Sequence, residues 1–115
     1  MTQAGFTLTS LVEHSQYLQQ IRKEELRAGD RVLVVTCNSI YSLRAVEDDL
    51  YLVSGGWFDC KGVSPMKTSI RGCTWGGSAI KLDIIAACGL RLEFGNRVVT
   101  SPIRKMFVFP YGSEN

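Results

Sequence analysis

One histidine, His14, is present in the chain, so any Ser–His–Asp or Cys–His mechanism has to run through it. It lies among Glu13 and Gln16, nothing near it suggests a catalytic nucleophile, and it reads as a surface or interface residue. The cysteines Cys37, Cys60, Cys73 and Cys88 form no C-x-x-C pair. Tetrahedral zinc sites usually draw two ligands from one tight turn, and that spacing is missing here. The thiols are expected to be free and mostly buried, because free cysteine packs as a small hydrophobe. Glu47, Asp48 and Asp49 are consecutive and lack the alternating ligands, bend glycine and closing glutamate of a calcium loop. Asp59, Asp83 and Glu93 are scattered, and no spacing pairs them for acid–base work. No catalytic residue, metal or cofactor is assigned.

Two glycine-rich segments offer more. Gly55-Gly56-Trp57-Phe58 and Thr74-Trp75-Gly76-Gly77-Ser78 each set a tryptophan beside paired glycines. Glycine admits close backbone approach, and an aromatic face gives a ligand something to stack on. Neither segment matches a dinucleotide or phosphate-loop fingerprint. The candidate ligand site is therefore Trp57, Phe58, Trp75, Gly76, Gly77 and Ser78, with barrel corners and core-plugging tryptophans as the plainer reading. Arg91, Arg104 and Lys105 lie in the last hairpin and strand. With aromatic neighbours they could form a platform for single-stranded nucleic acid; signatures for duplex DNA are absent.

The elements that must position these groups follow from periodicity. Ser10-Leu11-Val12-Glu13 reads as a capping box, and Leu11, Leu18, Ile21 and Leu26 recur at near-helical spacing. That predicts an amphipathic helix over 10–27, lying on a sheet or serving a homo-oligomer interface. From Arg31 the period changes to 2. Arg31–Cys37 is apolar on both faces and is expected to be covered on both. Tyr41, Leu43 and Ala45 share one face of the next strand, Glu47-Asp48-Asp49 forms a hairpin tip, and Leu50–Ser54 returns. Residues 55–65 are expected as an irregular loop with two exposed aromatics, and 72–78 as a second loop. Met66, Thr68 and Ile70 alternate, as do Ile80, Leu82 and Ile84. Leu90–Phe94 meets a two-residue Gly95-Asn96 turn, which sets Leu92 opposite Val99 on the core face. Pro102 marks an edge or bend, and Ile103–Phe109 is the final strand.

A chain of 115 residues holds one domain. At 45% hydrophobic and 21% charged it is compositionally globular. No apolar run approaches the length of a membrane helix, and no secretory signal is visible, so a cytoplasmic setting without a membrane partner is expected. Residues 1–57 carry five basic and seven acidic side chains, residues 58–115 eight and four, so the second half could attract phosphate weakly. The fold class predicted is mainly β: a small closed or partly closed antiparallel β-barrel of six to eight short strands over 31–109, with the N-terminal amphipathic helix outside it. Closure would remove strand edges, and the glycines suit barrel corners.

The runs Gly55-Gly56-Trp57-Phe58, Gly76-Gly77-Ser78, Gly89-Leu90-Arg91-Leu92-Glu93-Phe94 and Thr100-Ser101-Pro102-Ile103 resemble those of a family of short uncharacterised bacterial β-rich proteins. The resemblance spans roughly residues 30–109 and implies a bacterial, cytoplasmic protein. It carries over no activity and no site residues. The function expected is a non-catalytic binding or assembly module; a single-strand nucleic-acid binder and an enzyme of unrecognised type are the alternatives.

Overall fold

The structure, a computed structural model, describes residues 16–17, 20–47, 49–76 and 79–111. Strands β1 (Gln16–Tyr17) and β2 (Gln20–Arg22) precede a single 3-10 turn, Lys23–Glu25. β3 (Arg31–Thr36), β4 (Ile40–Glu47) and β5 (Leu50–Gly55) follow, then a short helix α1 (Gly56–Cys60). The rest of the chain is β6 (Met66–Thr68), β7 (Ile70–Gly76), β8 (Ala79–Lys81), β9 (Ile84–Ala87), β10 (Arg91–Phe94) and β11 (Ile103–Phe109). The largest sheet has the order β1-β11-β3-β4-β5-β6; a three-stranded sheet β10-β7-β8 and a two-stranded sheet β2-β9 accompany it. Every strand pair is antiparallel.

The β3–β4–β5 meander forms where alternation predicts it. Val32, Val34 and Thr36, then Tyr41, Leu43 and Ala45, then Tyr51 and Val53 are all buried, as period-2 side chains on one pleated face must be. The partners across this face come from the smaller sheets. Phe94 of β10 lies with its ring 5.8 Å from Tyr41 and 5.0 Å from Phe58, the latter edge-on. All four residues of β9 are buried, so this strand runs through the interior. Full burial of each large apolar side chain there is worth roughly 1.5–3 kcal/mol.

Several expectations are corrected, the strand number among them: among the described residues nine strands, β3–β11, lie within 31–109 rather than six to eight. No closed barrel forms among the described residues: β1 and β6 remain the outer strands of the large sheet. The chain leaves that sheet at Ser69, between β6 and β7, and β7 pairs instead with β10 and β8. Ser69 is held there by its carbonyl, which accepts the Gly95 amide at 2.8 Å.

The helix over 10–27 is not found in its described part. Residues 10–15 and 18–19 lie outside the described residues, while Gln16–Tyr17 and Gln20–Arg22 are strands. Ile21 is buried opposite Ala86, with Gln20 and Arg22 exposed. β9 pairs only with β2 in its sheet, and a buried strand needs partners for its amides and carbonyls. That requirement outweighs a modest helical spacing.

The segment 72–78 is not a loop up to Gly76, since β7 runs through it. Gly72 has φ +145, and a Cβ there would lie 2.1 Å from the Lys81 carbonyl oxygen. The glycine thus serves close approach of two strands. Leu82 also departs from its expected strand face: it lies in the turn between β8 and β9 and is exposed.

The last hairpin is shifted by one residue. Phe94 donates its amide to the Val98 carbonyl at 2.9 Å, and Glu93 stands opposite Val99. The loop is Gly95-Asn96-Arg97, with Arg97 at φ +76, so it has three residues rather than two. A one-residue shift exchanges faces: Leu92 is fully buried and Val99 is exposed.

Candidate functional site: a cleft floored by Tyr51

The segment after the 3-10 turn is fastened to β4 by backbone bonds. The Gly29 amide donates to the Ala45 carbonyl at 2.7 Å, and the Ala45 amide to the Asp30 carbonyl at 2.9 Å. Asp30, buried, accepts the Arg27 amide at 2.9 Å and the Tyr111 amide at 2.8 Å. Opposite it, the β4–β5 hairpin turns through two residues between the partners Glu47 and Leu50. Asp49 adopts φ +60 there, a left-handed conformation that aspartate tolerates; Asp48 lies outside the described residues. Lys23 Nζ reaches across to Asp49 Oδ1 at 3.1 Å.

Between these two walls lies a cleft of about 380 Å³. Leu26, Ala28 and Ala45 give it an apolar side, Lys23 and Arg27 stand on one rim, and Glu47 and Asp49 on the other. Tyr51 forms the floor and is 4% exposed. Burial, and then the nearby charge of Asp49, push its phenol up to about 12, so it stays a hydrogen-bond donor at neutral pH. Its hydroxyl bonds to no group among the described residues. A concave, partly apolar site with a few convergent polar groups is the usual form of a small-molecule site.

No protein-family model matches the chain, and no curated protein or solved structure is similar to it.

The residues singled out from the sequence are placed apart from this cleft. Trp57 is the second residue of helix α1; its amide donates to the Tyr41 hydroxyl at 3.3 Å and the residue is 36% exposed. A Cβ on Gly56 would meet the Tyr41 ring at 2.2 Å, so the paired glycines let α1 close over that ring. Phe58 is fully buried against Trp57 and Phe94, which corrects its reading as an exposed aromatic. Trp75 is 64% exposed on β7, with Lys81 Nζ 5.5 Å from its ring centroid. Phe94 pairs with Ile70, so Trp57 belongs with the start of β7. Trp75 is five residues further along the strand, about 16 Å at strand rise. The two tryptophans are therefore not brought together. Gly76 pairs with Ala79; Gly77 and Ser78 lie outside the described residues, as does His14.

Of the basic residues, Arg91 pairs with Thr74, next to Trp75. Arg104 falls at a bulge between Ile103 and Lys105 and is exposed, whereas Lys105 is half-buried. The cysteines are free, but only Cys73 is buried; Cys37 and Cys60 are exposed and Cys88 intermediate. The expectation of mostly buried thiols is corrected accordingly, because 37 falls in a hairpin turn and 60 at the end of α1. Asp59 is exposed; the nearby Ser64 hydroxyl and the Gly55 amide, which donates to Oδ1 at 3.0 Å, hold its carboxyl below the usual range, so it serves to close the α1 turn. Among the described residues no group of three or more His, Cys, Asp or Glu could hold a metal ion. None of their helices is long and apolar enough to cross a membrane.

Sequence reasoning missed Tyr51, Leu26 and Arg27. The available signal was a tyrosine at an inward position of an alternating strand beside an acidic hairpin tip. A buried phenol needs a partner or an opening, and the alternation could not say which.

Proposed function

We propose that the protein is a non-catalytic binding module whose ligand occupies the cleft over Tyr51. The observation that carries this reading is Tyr51 itself: nearly fully buried, with a hydroxyl that bonds to no described residue and borders an open cleft. The lining carboxylates already face cations: Asp49 faces Lys23, Glu47 faces Lys67 at 3.9 Å, and Glu24 faces Arg22 at 3.1 Å. That favours holding a ligand over abstracting its proton. A fragment screen by amide NMR tests the reading. Perturbations clustered at Leu26, Ala28, Ala45 and Tyr51 are expected. Specific turnover of a bound compound, or fragments that bind only elsewhere, would refute it.

The bacterial and cytoplasmic setting belongs to the same proposal and rests on the sequence runs that resemble short bacterial β-rich proteins. The homo-oligomer expected from a 10–27 helix loses that basis, since the described part of the segment is not helical.

A second reading, single-strand nucleic-acid binding, is favoured by one observation: Trp75 is exposed with Lys81 over its ring, although Arg91, opposite Thr74, falls on the other face of the strand pair. The Ile103 amide bonds to the Leu90 carbonyl at 2.8 Å, which keeps Arg104 close to Arg91 in the fold. Its signature is oligonucleotide affinity that falls steeply with salt and drops in Trp75→Ala. Absence of binding at low salt ends it.

A further inference from the structure

The cleft over Tyr51 contains both satisfied and unsatisfied charged or polar groups, and the two sets differ in kind. Every carboxylate lining it is already within 4 Å of a cation. The groups left over are Arg27 and Tyr51. The Arg27 side chain makes no hydrogen bond or ion pair with any described residue, and neither does the Tyr51 hydroxyl. Both are donors, and Arg27 is always charged. The Tyr51 hydroxyl can also accept, so the preference is set by Arg27: a spare guanidinium, which only donates, selects an acceptor-rich, anionic ligand. We propose that the cleft binds a small organic monocarboxylate, with Arg27 and the Tyr51 hydroxyl on its carboxylate and Leu26, Ala28 and Ala45 against its aliphatic part.

A carboxylate fits this site better than a phosphate for an electrostatic reason. Glu24, Glu47 and Asp49 line the cleft with Lys23 and Arg27, and each carboxylate has its own cation in Arg22, Lys67 or Lys23, so one positive charge, Arg27, is left over. One negative charge matches that one guanidinium in a two-bond arrangement, whereas the second charge of a dianion would have no cation left to meet it. The apolar side of the cleft gives a short alkyl chain a place to leave water. The Tyr51 hydroxyl, protonated at neutral pH, offers the carboxylate a second donor.

This inference rests on the binding-module reading, and the test separates the two. The purified full chain is titrated at pH 7 with hexanoate, hexanamide and inorganic phosphate, followed by amide NMR. Hexanoate is expected to saturate, with shifts at Leu26, Arg27, Ala45 and Tyr51. Hexanamide, which lacks the charge, is expected to bind at least about tenfold more weakly, and phosphate to leave these resonances unmoved. Arg27→Gln is expected to weaken hexanoate by about tenfold or more, and Tyr51→Phe to weaken it several-fold, with the rest of each spectrum unchanged. Arg27 is exposed, so its variant folds even if Tyr51→Phe does not. Equal affinity for hexanamide, phosphate shifts at the same residues, or no loss in Arg27→Gln overturns the carboxylate assignment. If screening fragments bind in the cleft while hexanoate does not, the assignment falls and the binding-module reading stands. If neither fragments nor hexanoate bind there, both fall.

Discussion

Lys23 Nζ lies 3.1 Å from Asp49 Oδ1, so one ion pair joins the 3-10 turn to the tip of the β4–β5 hairpin across the mouth of the cleft. The lysine side chain is 27% exposed and the aspartate 59%. Exposed pairs of this kind contribute about 0–1 kcal/mol. Lys23→Ala should therefore lower unfolding free energy by no more than about 1 kcal/mol in urea denaturation, while changing the amide shifts of both cleft walls. A loss of several kcal/mol would show that the pair supports more of the fold than its exposure implies.

Three aromatic substitutions should separate by burial. Phe58→Ala removes a fully buried ring at the junction of α1, β4 and β10, and should cost about 3–5 kcal/mol. Trp57→Ala removes a partly exposed ring and should cost less. Trp75→Ala, on an open strand face, should stay within about 1 kcal/mol of the parent. Equilibrium melts of the three proteins check the order, and a Trp75 variant that unfolds would contradict the placement.

Stability should fall at alkaline pH. Burial pushes the Cys73 thiol from 9.0 up to about 12, and burial together with Asp49 pushes Tyr51 from 10.0 to about 12. Both groups keep their proton more tightly folded than unfolded. The stability they contribute is complete below pH 9 and is lost progressively as pH rises toward 12. The melting temperature should drop by at least about 5 °C between pH 8.5 and 11, and Cys73→Ala should flatten part of that slope. A profile that stays level across this range would rule out the protonated, buried state of both groups.

Thiol labelling should resolve into classes. Cys37 and Cys60 are exposed and should react with a disulfide reagent at rates near those of free cysteine. Cys88, whose thiol is pushed up by burial and donates to the Arg104 carbonyl at 3.4 Å, should lag. Cys73, buried and donating to the Ile85 carbonyl at 3.4 Å, should react only on unfolding. Mass spectrometry of a labelling time course assigns each thiol, and early modification of Cys73 would contradict its position.

Gly55 and Gly62 give a matched pair of backbone tests. Both have positive φ, but a Cβ on Gly55 would meet the Ile40 carbonyl oxygen at 2.1 Å, while nothing lies within 4 Å at Gly62. Gly62→Ala should cost about 1–2 kcal/mol from its left-handed backbone alone. Gly55→Ala adds a backbone collision and should cost clearly more, as read from denaturant midpoints.

The sequence alone determined the meander from Arg31 to Ser54 and, in β4, which side chains face inward, because alternation ties each residue to a face before any partner is known; β3, apolar on both faces, buries only one of them fully. It also put the hairpin reversal in the acidic run, where Glu47 ends β4 and Asp49 lies in the turn. The rest depended on partners distant in the chain. Gln20–Arg22 is a strand because β9 requires one beside it, and nothing within the segment announces that. Val99 is exposed because the hairpin loop takes in Arg97, and a single residue of loop length exchanges faces that local pattern cannot distinguish. Phe58 and Trp57 are adjacent in sequence and similar in chemistry; only the docking of α1 on Tyr41 and Phe94 buries one and leaves the other open. The cleft is tertiary throughout. Its walls come from residues 23–28 and from both strands of the β4–β5 hairpin, and the freedom of Tyr51 and Arg27 is set by which neighbours the fold supplies to every other charge around them.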